Sequence, residues 1–166
     1  MPPLPRRTRI SQAPPRPPLR AIATATVTAT AALGALVALG ALCGTPLLIP
    51  PLAASMALIA GAPALPLSQP RSVIGGQALS ALVGVAIGAV SHSLWAGALA
   101  GGLALGAMLL TRTAHSPAAA TAVIGAMSTG SPGAFVACTA AAATVLVGFG
   151  LLGSALRGPA YPRYWW

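Results

Sequence analysis

Pro51-Leu52-Ala53-Ala54-Ser55-Met56-Ala57-Leu58-Ile59-Ala60 returns 66 positions later as Pro117-Ala118-Ala119-Ala120-Thr121-Ala122-Val123-Ile124-Gly125-Ala126. Each copy opens on a proline suited to the first helical position, passes through small residues to a hydroxyl, and ends in an apolar run. The echo starts upstream at the same offset, where residues 37–45 align without gaps on residues 103–111. Glycine, proline, hydroxyl and helix break fall in one register, which makes this an internal repeat.

The rest of the chain says where such a repeat lives. Of 166 residues 56% are hydrophobic, none is Asp, Glu or Lys, and nine are Arg, for a formal charge of +9. A soluble domain needs about a quarter of its residues charged, and here the figure is 5%. The chain is therefore expected to be an all-α integral membrane protein. A basic balance also fits nucleic acid, but these arginines sit at segment ends with few aromatic residues beside them, a pattern of membrane orientation. Without carboxylates the usual coupling group of proton and sodium transporters is missing. No metal-ligand cluster and no nucleophile–base pair is present, so neither enzyme activity nor a metal or cofactor is expected. Cys43 and Cys138 lie in apolar runs and read as core thiols. Leu42 stands where a small residue should precede a lipidated cysteine, and residues 21–44 are too long for a signal-peptide core.

Residues 1–20 mix arginine with repeated proline and read as a disordered basic tail. Four long apolar helices are expected at about 21–44, 73–90, 94–110 and 134–155, forming a transmembrane domain over 21–156. Two short segments run from Pro51 to about Ala62 and from Pro117 to about Ser128. Residues 157–166 end in a Tyr-Pro-Arg-Tyr-Trp-Trp cluster that reads as an interfacial aromatic tail. If both short segments cross, every arginine falls on one side. If both were re-entrant, Arg71 and Arg112 would face away from the others. Six passes are therefore expected, with both termini cytoplasmic in the cell membrane. With three passes per copy, repeat one (about 21–90) and repeat two (about 94–155) are inverted.

Each short helix, of about 12 residues, covers about 18 Å of a hydrocarbon layer about 30 Å thick. Half-length helices in an inverted repeat are expected to start near the midplane and face each other. Helix starts carry partial positive charge and unpaired amides, so two of them make an anion site without charged side chains. The expected ligands are the residues around Pro51, Ala53, Ala54 and Ser55 and around Pro117, Ala119, Ala120 and Thr121. The bland alternative has both hydroxyls bonding back to the carbonyls of Pro51 and Pro117. Ser116 is a candidate N-cap. His115 donates to an anion, senses pH, or bonds a neighbouring carbonyl. Arg71 and Arg112 set topology and, with Gln69, draw anions to a cytoplasmic mouth. Gly-x-x-x-Gly pairs at 40/44, 84/88 and 97/101 allow close helix contact within a chain or in a homo-oligomer.

Ser68-Gln69-Pro70-Arg71-Ser72-Val73-Ile74-Gly75-Gly76-Gln77, Leu110-Thr111-Arg112-Thr113-Ala114-His115-Ser116-Pro117 and the terminal Tyr-Pro-x-Tyr-Trp-Trp resemble, in this order, the motifs of the HPP family of small integral membrane proteins. The resemblance covers about residues 30–166. His115-Ser116-Pro117 stands at the family's His-Pro-Pro, and Ala53 stands where a glycine commonly precedes Ala-Ser. Family members are usually described with four transmembrane helices, and the two short segments account for the difference from six. Plant and cyanobacterial relatives are associated with nitrite transport, so the resemblance implies a small inorganic anion as partner, besides the bilayer itself. The expectation is an anion transporter or channel, with a structural or assembly protein as the alternative.

Overall fold

The computed structural model of the chain describes residues 15–44, 46–157 and 161–165, with the side chains of Cys43 and Arg157 outside the description. The expected basic tail falls largely outside it, and so does the expected packing of Cys43. The described residues form six α-helices. These are α1 (Leu19–Cys43), α2 (Pro50–Gly61), α3 (Pro70–Gly88), α4 (Leu94–Thr111), α5 (Ser116–Met127) and α6 (Pro132–Arg157), with a short 3-10 helix at Pro66–Ser68. The helices α1, α3, α4 and α6 are long and apolar enough to cross a membrane, while α2 and α5 have 12 residues each.

Proline sets several of the starts. Pro50 and Pro51 open α2, Pro70 opens α3, and Pro117 sits in the first turn of α5. Both short helices thus begin one residue earlier than the repeated proline implies, because Pro50 and Ser116 take the first helical position. His115, not Ser116, is the N-cap of α5, and no side chain caps that helix. Ser93 caps α4 by accepting from the Ala96 amide.

Packing exchanges helices between the repeats. One core cluster joins α1, α2 and α6 through Leu36, Leu52, Met56, Ile59, Ala143 and Leu146. The other joins α4 and α5 through Ala100, Ala104, Ala122 and Ala126, with Val83 and Ile87 of α3 against it. So α3 leaves its own repeat to pack on α4 and α5, and α6 returns to pack on α1 and α2. Every helix contact of one copy has its counterpart in the other. The 66-residue register survives in space, since Gly84 meets Gly125 and its repeat partner Gly150 meets Ile59.

The same contacts fix directions. Gly76 lies by His115, Gly84 by Ala122 and Gly88 by Ala126, so α3 and α5 run parallel. Gly97 meets Met127 and Gly101 meets Ala119, so α4 runs against α5. Phe135, at the start of α6, sits on Gly125 beside Gly84 toward the far end of α3, so α6 runs against α3. The helices alternate in direction along the chain, and the second repeat is inverted on the first. As a consequence Arg20, Arg71, Arg112, Arg157 and Arg163 belong to one end of the bundle. The turns after α1, α3 and α5 form the arginine-free end.

Candidate functional site

The motif Ser68-Gln69-Pro70-Arg71 knots the arginine end. Ser68 Oγ donates to the carbonyls of Ala62 (2.9 Å) and Leu58 (3.2 Å), adding to the amides of Leu65 and Ala62 that already bond them at the end of α2. Gln69 is wholly buried, and its Nε2 donates to the Pro63 and Leu65 carbonyls at 2.9 Å each. Its Oε1 accepts from the Arg163 amide at 2.8 Å, which ties down the C-terminal segment. Arg71 Nη2 donates to the Thr111 carbonyl at 2.9 Å, a cation on the last turn of α4. Gln69 is therefore a latch and does not line an open mouth. Arg112 is exposed and turns the chain out of α4 at φ 57.

Tyr161, expected at the interface with its aromatic neighbours, is instead buried against Gly150 and Ile59. Gly150 makes this possible by offering no Cβ to the ring. Trp165 is exposed, as an anchoring residue would be.

Inside this knot the two repeated hydroxyls meet through a residue of α3. Thr121 Oγ1 donates to Gln77 Oε1 at 2.5 Å, and Gln77 Nε2 donates to Ser55 Oγ at 2.8 Å. Ser55 Oγ also lies 2.7 Å from His115 Nε2 and 2.9 Å from the Pro51 carbonyl. His115 Nδ1 is 2.7 Å from the Leu67 carbonyl. Ser55, Gln77 and Thr121 are 0% exposed and His115 is 1%.

Proton counting gives this cluster its character. A carbonyl only accepts, so His115 Nδ1 carries a hydrogen toward Leu67, and Nε2 of the neutral ring must accept. Ser55 then has a single hydroxyl proton for two acceptors, His115 Nε2 and the Pro51 carbonyl. Arriving at Nε2, one further proton would let both contacts be made as full hydrogen bonds. No acidic side chain stands in the chain to compensate a charge placed here.

The other expected ligands are dispersed. Ala54, Ala120 and Ser116 are exposed, Ala53, Ala119 and Pro117 are half-buried, and Pro51 is buried. The amides of Leu52 and Ala53 both donate to the Ile49 carbonyl, and that of Ala118 donates to His115 O. The first turns satisfy themselves, helped by prolines that have no N–H to offer. Nor do the helix starts face each other end to end. The foot of α5, at His115, abuts the middle of α2 at Ser55, because the antiparallel short helices overlap side by side. What converges is the pair of hydroxyls. Gln77, which sequence reasoning left inside a motif, is their bridge. A lone amide in the middle of an apolar 19-residue helix was the signal, since a polar group there is costly unless it is partnered.

Among the described residues no group of three or more His, Cys, Asp or Glu is placed to hold a metal. Cavities lie at the arginine-free end. One of about 190 Å³ runs between the ends of α3 and α5, with His92 and Phe135 in its wall. Another, of about 410 Å³, runs between the start of α2 and α6, with Ile49, Leu52, Phe135, Cys138 and Thr139 in its wall. Cys138 packs against the core of α1, α2 and α6, as expected of a core thiol, and is half-buried with this cavity beside it.

The chain is similar to two transmembrane proteins of Dictyostelium discoideum, each 36% identical over an alignment 129 positions long that covers 72% of this chain. It spans 42% of the length of one and 45% of the other, less than half of either relative. No solved structure matches it. The family model described as HPP, transmembrane region, matches residues 14–162, which takes in all six helices and the buried cluster, and the chain belongs to that family.

Proposed function

We propose that the chain carries a small inorganic anion of the nitrite type across the cell membrane, with its arginine-bearing end and both termini in the cytoplasm. The observation that carries this reading is the fully buried, carboxylate-free cluster of Ser55, Gln77, Thr121 and His115 where α2, α3 and α5 meet. A site for a cation presents several converging carboxylate or carbonyl oxygens. This one holds two hydroxyls and an amide that can turn a donor toward a guest, and an imidazole that gains a free donor when Nε2 takes a proton. Hydrogen bonds to a charged group contribute about 1.5–3 kcal/mol each. A few of them offset the several kcal/mol that desolvating a small ion costs, which leaves binding loose enough for passage. Arg71 and Arg112 at the cytoplasmic end raise the local anion concentration, and arginines on that side agree with the orientation rule for membrane helices.

A second reading, a structural membrane protein without transport, is favoured by one observation. The four side chains already bond one another and nearby carbonyls, as a packing lock would. If copies assemble, the outward face of α4 at Gly102 and Gly106 serves, since Gly84, Gly88, Gly97 and Gly101 are used within the chain. Uptake of nitrite into proteoliposomes separates the two readings. Transport predicts uptake that Ser55→Ala with Thr121→Ala abolishes while the protein stays folded. Absence of uptake by the unaltered chain supports the structural reading, and full uptake by the double variant removes the cluster from the path.

A further inference from the structure

The repeat makes a demand that only one end of the molecule meets. Through the 66-residue register, Ile49, Phe135, Cys138 and Thr139 in the larger cavity correspond to His115, Gln69, Ser72 and Val73 at the arginine end. Phe135 and Cys138 are half-buried beside open space. Gln69, Val73 and His115 are 0–1% exposed and Ser72 is 6%, so the corresponding place is filled. It is stopped by His115 on the Leu67 carbonyl and by Gln69, which also holds the Arg163 amide.

The difference is written in side-chain size. Met56 and Ile59 of α2 hold it off α6, whereas their counterparts Ala122 and Gly125 let α5 settle onto α3 until a Cβ at Gly84 would stand 2.5 Å from the Ala122 carbonyl oxygen. Between cavity and cluster stands Leu52, one helical turn from Ser55 on α2. Ser80 stands one turn from Gln77 on α3, toward the cavity end, and its fully buried hydroxyl has no hydrogen-bond partner. A buried donor left unpaired one turn from the cluster is a place where a polar guest gains a bond and the protein loses none.

We infer that the cavity between α2 and α6 is the outward-facing vestibule for the anion, that Leu52 forms its inner step toward the buried cluster, where the Ser80 hydroxyl is left to receive a guest, and that His115 and Gln69 are the closed gate at the arginine end. This rests on the transport reading above. An inverted repeat with one end open and its equivalent filled is one half of an alternating cycle, in which the two ends exchange conformations around a fixed site.

Native Cys138 reports on it directly. In proteoliposomes with Cys43 replaced by Ala, a membrane-impermeant methanethiosulfonate should modify Cys138 from the arginine-free face and slow nitrite uptake. In a background also carrying Cys138→Ala, the near-isosteric Ser72→Cys should be modified from the arginine-bearing face far more slowly than Cys138 is from the other, since that end is closed in the resting state. An inert Cys138 beside robust uptake overturns this inference alone, as does a Ser72→Cys thiol that reacts as readily as Cys138. Modified Cys138 with uptake at its full rate takes the cavity off the path and overturns it too. A reactive Cys138 in a chain that takes up no nitrite even unmodified overturns the transport reading, and the vestibule with it.

Discussion

Gln77 is the residue on which the interior turns. Its carboxamide has a different task at each end, accepting from Thr121 and donating to Ser55, so no apolar residue of similar size replaces it. In Gln77→Leu the Thr121 hydroxyl loses its acceptor and Ser55 loses a donor, and an unmet buried group costs about 1–3 kcal/mol. Thermal unfolding in detergent should show that loss, and nitrite uptake should fall with it. Retained stability would mean that Thr121 simply turns back to its own helix. The sequence made Ser55, Thr121 and His115 legible, because they sit at the repeated prolines. It did not show that α3 supplies the bridge, since nothing local to Gln77 says which hydroxyls lie opposite. Tyr161 fails for a similar reason. Among Trp165 and Trp166 it looks interfacial, and only the groove opened by Gly150 in α6 turns it inward.

For the helices, the two copies of one motif do different jobs. In α2 the residues Leu52, Met56 and Ile59 make a thick core, and in α5 the matching Ala118, Ala122 and Gly125 make a thin one against α3. The glycines of α3 and α4 therefore divide into two kinds. A Cβ at Gly84 would lie 2.5 Å from the Ala122 carbonyl oxygen, while one at Gly102 would meet nothing within 4 Å. Alanine gains about 1 kcal/mol over glycine in a helix from propensity alone. Gly102→Ala should thus raise the unfolding temperature, and Gly84→Ala should lower it, since overpacking a tight contact costs about 1–3 kcal/mol. The opposite signs are the test, and equal effects would mean that α3 and α5 are less closely packed. Helix existence and order were readable from apolar length and proline. Most starts were missed by one to three residues, because a helix can open on a proline or just before it, as at Pro50, Pro70 and Ser116.

For the whole molecule, the exchange of α3 and α6 between repeats makes the halves interdependent, because α3, α4 and α5 follow one another in sequence while the group of α1, α2 and α6 is completed only by the last helix. Pattern alone predicts an inverted repeat but is silent about such an exchange, which depends on which faces fit. The alternating directions place Pro63–Arg71 and Thr111–Ser116 at one end and Ala89–Ser93 at the other. An arrangement with re-entrant α2 and α5 reverses α3 and α4 in the membrane and exchanges those ends. Leu65 and Ser91 are both exposed and lie on the two loops that would change places. The direct test is impermeant maleimide labelling of Leu65→Cys and Ser91→Cys, each in a chain with Cys43 and Cys138 replaced by Ala, in sealed vesicles of known orientation. Position 65 should label only from the cytoplasmic face and position 91 only from the outside. The reverse pattern would contradict the six-pass inverted repeat on which the buried cluster, its vestibule and its gate all depend.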